Sequence, residues 1–204
     1  MTISTRADLH TAIDDYSDRS YTEARKNIFV SNAEAKFNRT LVSTFRRTMD
    51  TTLTTNSSGQ ATLPSGFAGL SSIVRAVTGS VPLIQVGWDA LISLNPYSVA
   101  GDPTHYAIKA STLQVAPIAE DSFTTVFKST LTPLTSSNAT NWLLSLAPDI
   151  YLNMCLAEEA TFTRDFATAQ GFAASAYSML DDLISMDTVA AFGNAELTLD
   201  MPTP

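Results

Sequence analysis

The texture of this chain changes twice, and that double switch constrains its fold more than any single motif. Up to about Met49 apolar residues recur at helical spacing, from Asp50 to about Asn138 Thr, Ser, Gly and β-branched residues take over, and then helical spacing returns. Such a pattern predicts an α+β protein, a helical bundle interrupted by a β-rich insertion. The expected boundaries are 1–49 and 138–193 for the bundle, 50–137 for the insertion and 194–204 for an extended C-terminal tail.

Within the first segment, a short amphipathic helix runs from an N-cap at Ser4 to Tyr16, with Ala7, Leu9, Ala12, Ile13 and Tyr16 apolar and His10 on its polar side. A long helix follows from about Tyr21 to Met49. Its residues Phe29, Ala33, Phe37, Leu41 and Phe45 recur every four positions, Ile28, Val30 and Val42 widen the stripe, and the opposite face is mainly basic. In the insertion, MDTTLTT (Met49–Thr55) and ATL (Ala61–Leu63) read as strands joined by a hairpin turn at NSSGQ (Asn56–Gln60). LSSIVRAVTG (Leu70–Gly79), VPLIQV (Val81–Val86) and SFTTVFKSTL (Ser122–Leu131) supply further strands, and HYAIKAS with TLQVAP (His105–Pro117) reads as a tight hairpin. GWDALISLNP (Gly87–Pro96) suits a short helix with Trp88, Leu91 and Ile92 on one face and Pro96 as its stop.

After the link TPLTSSNA (Thr132–Ala139), TNWLLSLA is a short helix with Thr140 or Asn138 at its start, Asn141 and Trp142 capping and anchoring it. Pro148 starts a longer helix, which bends near Thr161 to Thr163 and continues through Phe166, Ala169, Ala173, Tyr177, Leu180 and Ile184. The tail ELTLDMPTP (Glu196–Pro204) alternates like a strand with no local partner, so it is fit to pair with another chain.

Composition narrows the function classes. With 45% hydrophobic and 16% charged residues the chain can bury a core, so disorder throughout is excluded. No apolar run of about 18 residues occurs, and MTISTRADLH lacks the basic and then apolar pattern of a signal peptide; the expectation is a soluble chain made in a cytoplasm. Residues 1–50 carry eight Lys/Arg against seven Asp/Glu, whereas 149–204 carry Arg164 against nine carboxylates. A segment so acidic is unsuited to hold nucleic acid. Only two histidines, His10 and His105, and one cysteine, Cys155, are present, and neither histidine has metal-ligand spacing to a second donor. There is no GxSxG elbow and no Gly-rich phosphate loop, so no catalytic residue, metal or cofactor is assigned and the chain is read as a non-enzyme. The pairs Glu158/Glu159 and Asp181/Asp182 read as solvated helix surface.

Three strings, LPSGF (Leu63–Phe67), GDPTHYAI (Gly101–Ile108) and TNWLLSLAPDIYL (Thr140–Leu152), fall in an order that resembles the head-to-tail adaptor proteins of tailed bacteriophages. The likeness runs from about Arg6 to Leu183 and takes in the helix ending near Arg46 and Arg47 and the strand LQVAP (Leu113–Pro117). It implies a virion protein at the head-tail junction, assembled in the host cytoplasm as a ring, expected to be twelve-fold. The ring would join the portal protein to the next tail or nozzle component and leave a channel through which duplex DNA passes without specific binding. No membrane is involved. Under that resemblance, Arg25, Lys36, Arg39, Arg46 and Arg47 of one copy would face Glu158, Asp165, Asp181 and Asp182 of the next. Glu196, Leu197, Thr198, Leu199 and Asp200 would add a strand to the portal. Two other classes fit part of the pattern. A carbohydrate-binding or capsid-decorating module would expose Trp88, Tyr97 and Tyr106, and a carboxylate hydrolase would bring two acids together at about 5–9 Å.

Overall fold

A computed structural model describes residues 2–41 and 48–192. The elements in order are α1 (Arg6–Ser17), α2 (Glu23–Thr40), β1 (Thr48–Thr54), β2 (Gln60–Thr62), β3 (Phe67–Arg75), β4 (Ile84–Gln85) and α3 (Trp88–Leu94). There follow β5 (His105–Lys109), β6 (Thr112–Ala116), β7 (Ser122–Ser129), α4 (Trp142–Leu146), α5 (Pro148–Phe162) and α6 (Phe166–Phe192). The architecture is α+β. The chain divides into two compact units, residues 1–46 with 131–204, and residues 47–130.

In the helical unit, α1 starts at Thr5, not at the expected Ser4. Thr5 is extended and accepts from the Asp8 amide while the Asp8 carboxylate accepts from Thr5 N, a reciprocal capping box; the Ser4 hydroxyl donates to the same carboxylate. His10 is also not on a polar side. Leu9, His10, Ala12 and Ile13 are all buried, because the arc that α1 turns inward is wide enough to take in position 10 beside Ile13. On α2, Phe29, Ala33, Phe37 and Leu41 are buried at four-residue spacing, but Ile28 is 50% exposed and does not widen the stripe. The described helix ends at Thr40, and the chain is already a strand at Thr48, so the helix does not continue to Met49. Val42, Phe45, Arg46 and Arg47 lie outside the described residues.

α5 is buried nearly all round, from Ile150 to Ala160, and packs against α1, α2, α4 and α6. Pro148 occupies its first turn, where a missing N–H costs nothing. α4 is capped by Asn141, which accepts from the Leu144 amide. The alternatives Thr140 and Asn138 are engaged elsewhere: the Thr140 hydroxyl pairs with that of Ser145, and the Asn138 amide donates to the Pro133 carbonyl. The segment from Leu131 belongs to this unit as core, since Leu131 and Leu134 are buried with Phe37, Leu143 and Tyr151. Phe166 and Tyr177, expected inside, are 66% and 39% exposed on α6, which turns Ala169, Ala176, Leu180 and Leu183 inward.

In the insertion, one sheet has the order β1-β7-β3 and the other β2-β6-β5-β4. Leu53, Ile73 and Phe123 from the first sheet meet Ala61, Tyr106, Leu113 and Val115 from the second, so the two sheets enclose a shared core. The expected β1–β2 hairpin does not form. β1 pairs with β7 along its whole length, and β2 joins β6 in the second sheet. The Asn56 side chain accepts from the Ser58 and Gln60 amides, and this turn carries the chain from one sheet to the other. The β5–β6 hairpin is present. VPLIQV contributes only Ile84 and Gln85 to β4, because the Leu83 amide is taken by the Ile73 carbonyl. α3 packs Leu91 against Ala107 and Ala116 and leaves Ile92 54% exposed.

Candidate assembly surfaces

The charged residues of the helical unit sort into those that tie its helices together and those left facing outward. Lys36 Nζ lies 2.5 Å from Glu158, whose carboxylate also accepts from Asn32 at 3.0 Å, so these pairs clamp α2 to α5 within one chain. Arg19 pairs with Glu159 at 3.3 Å, and the Tyr21 hydroxyl donates to the same carboxylate. Burial, and then the Glu159 contact, pushes the Tyr21 hydroxyl above its ordinary range. Glu159 is therefore not the solvated surface that its spacing beside Glu158 suggests; it is buried and paired. Lys26 reaches Asp14 at 2.6 Å, and Arg6 joins Glu23 at 2.6 Å and Asn27. Arg25 stands over the Phe162 ring at 4.3 Å.

A second polar group is fully internal. Glu34 accepts from the Leu134 amide at 2.8 Å and from the Tyr151 hydroxyl at 3.2 Å, and Asn141 donates to that hydroxyl at 2.6 Å. One turn along α2, Asn38 accepts from the Leu131 amide at 2.7 Å. Burial raises the Glu34 carboxyl above its ordinary range despite these donors. Neither this network nor the Glu159 cluster is visible in sequence spacing, because the contacts that tie α2 and the α1–α2 link to the C-terminal half join residues 93 to 140 positions apart.

The interface residues expected from the sequence thus fall in different settings. Arg25, Lys36 and Glu158 make contacts inside the chain. Asp165 accepts from the Thr168 amide at the start of α6, and the Thr168 side chain, then that amide, hold its carboxyl below the ordinary range. Arg39 on α2 and Asp181 and Asp182 on α6 are exposed. Arg46, Arg47 and Glu196 to Asp200 lie outside the described residues. Of the three aromatics that a carbohydrate site would present, Tyr97 is 89% exposed, Tyr106 is buried, and Trp88 lies under the Lys109 ammonium at 5.4 Å.

Among the described residues no three His, Cys, Asp or Glu side chains come together as a metal site, and no helix is long and apolar enough to cross a membrane. Cys155 is fully buried in α5, where desolvation pushes its thiol up and away from reactivity. No curated protein sequence matches the chain. A family model described as the SU10 adaptor protein matches residues 4–197, spanning both compact units. The chain therefore belongs to the SU10 adaptor protein family, and it is a phage adaptor protein.

Proposed function

We propose that copies of this chain close into a ring at the head-tail junction of the virion, joining the portal protein to the next tail or nozzle component around a channel for duplex DNA. The family match over residues 4–197 carries the reading, since an adaptor acts by joining other virion components. A ring follows if the contact between copies is head-to-tail and the rotation closes; the expected number is twelve. The net charge of −8 suits a channel from which DNA is repelled, so that it slides without sticking. Assembly takes place in the host cytoplasm, before the completed virion leaves.

Electron microscopy of the chain mixed with its portal protein tests this directly. A closed ring seated on the portal is expected, and a chain that stays single with the portal present overturns the proposal. The segment Glu196 to Asp200 is the proposed portal contact, adding a strand through its main-chain groups. Removing Glu196 to Pro204 should leave circular dichroism and thermal unfolding unchanged and abolish portal co-sedimentation. Portal binding that survives the deletion rejects the tail as the contact.

A further inference from the structure

The outward faces of α2 and α6 match each other in charge and in spacing. On α6 the buried residues Ala176, Leu180 and Leu183 define the inner face, and Gly171, Ser178 and the pair Asp181/Asp182 lie on the opposite side, all exposed. The helix carries no Lys or Arg at all. Gly171 leaves this face bare: a Cβ placed there meets nothing within 4 Å. On α2 the side opposite Phe29, Ala33 and Phe37 presents Ile28, Ala35 and Arg39, also exposed. The other cations of α2 are engaged, Lys26 by Asp14, Lys36 by Glu158 and Arg25 by the Phe162 ring, whereas Arg39 has no ion pair or side-chain hydrogen bond among the described residues. The carboxylates of Asp181 and Asp182 likewise have none.

The spacings coincide. Ile28, Ala35 and Arg39 are separated by seven and four positions, and so are Gly171, Ser178 and Asp182. At about 1.5 Å per residue both sets span roughly 16 Å of helix. We propose that α2 of one copy lies along α6 of a second copy, running in the same direction, with Ile28 against the bare backbone at Gly171, Ala35 against Ser178, and Arg39 between Asp181 and Asp182. The contact joins two different faces of one chain, so it repeats head-to-tail, as ring closure requires. Small residues at the centre let the helices approach closely at a shallow crossing. Charge complementarity sets the register, because sliding by one turn takes Arg39 away from both carboxylates.

This inference rests on the ring reading, and the experiment separates the two. Gly171→Leu adds a side chain to an exposed helix face with open space around it, so the folded monomer should keep or raise its thermal midpoint. By native mass spectrometry and sedimentation velocity, G171L is expected to lower the assembled fraction at least about tenfold. Arg39→Glu should do the same, as should Asp181→Lys combined with Asp182→Lys. The charge-swapped triple variant should recover assembly, and high salt should weaken the wild type. If G171L and R39E form rings as the wild type does, this interface is overturned and the ring reading stands. If the wild type forms no ring with its portal protein present, both fall.

Discussion

Glu34 sits where a carboxylate is expensive, and its environment explains what it does there. It is 7% exposed, and it accepts from a main-chain amide of the incoming segment and from the Tyr151 hydroxyl. Replacing it by Ala leaves both donors buried without an acceptor, so Glu34→Ala should cost about 2–4 kcal/mol in denaturant unfolding. Glu34→Gln keeps an acceptor oxygen and should cost much less. Because burial raises the folded carboxyl above the unfolded one, the folded state holds its proton more tightly. Stability contributed by Glu34 is therefore present at acid pH and lost as pH rises from 4.5 through the raised value, a slope that the Glu34→Gln variant should lack. His10 has the opposite sign. Burial first, then the charges of Arg6 and Lys26 against the weaker pull of Glu23 and Asp14, lowers it from 6.5 to about 4, and its Nε2 is buried without a partner. Protonating it costs the folded state, so stability should fall as pH drops from 6.5 to about 4, on the order of 2 kcal/mol. His10→Leu should flatten that part of the pH–stability curve in urea titrations.

Among the elements, what the sequence discloses depends on how local the deciding interaction is. The α2 stripe, the Pro148 start of α5 and the β5–β6 hairpin are set by neighbours within a few positions, and all three are legible. The first cap differs by one residue from its expected place because Ser4 and Thr5 both offer hydroxyls, and only the extended backbone at Thr5 decides between them. Thr5→Ala should cost about 1 kcal/mol in thermal or urea unfolding, and Ser4→Ala much less. The β1–β2 hairpin fails for a different reason. Asn56 to Gln60 does turn, as its composition says, but which strand a turn feeds depends on the pairing offered by β7 and β6, which lie far along the chain. The burial of His10 escapes the sequence because helical spacing shows which arc is most apolar without showing how wide the buried arc is. The same limit applies to the assembly surfaces. Residue type singles out the cations and carboxylates, and only the fold separates Lys36 and Glu158, paired inside the chain, from Arg39 and Asp182 on its outside.

At the scale of the whole chain, the helical unit has a buried core of its own. Among the described residues, its buried apolar cluster draws on α1, α2, Leu131, Leu134 and α4 to α6, with none from 48–130. The Leu131 amide reaches Asn38, so the chain re-enters beside the last turns of α2. Replacing residues 47–130 by a Gly/Ser linker of about eight residues should therefore leave helical circular dichroism and a cooperative thermal transition. A broad, non-cooperative transition would refute that independence. The way the chain re-enters also has a mechanical side. A pull arriving along β7 meets the bundle at two main-chain amides, held by Asn38 and Glu34 one turn apart on α2, before it can draw Leu131 or Leu134 from the core. Tension arriving along that strand is thus met first at two points on the flank of α2, in the middle of the chain and not at one of its ends.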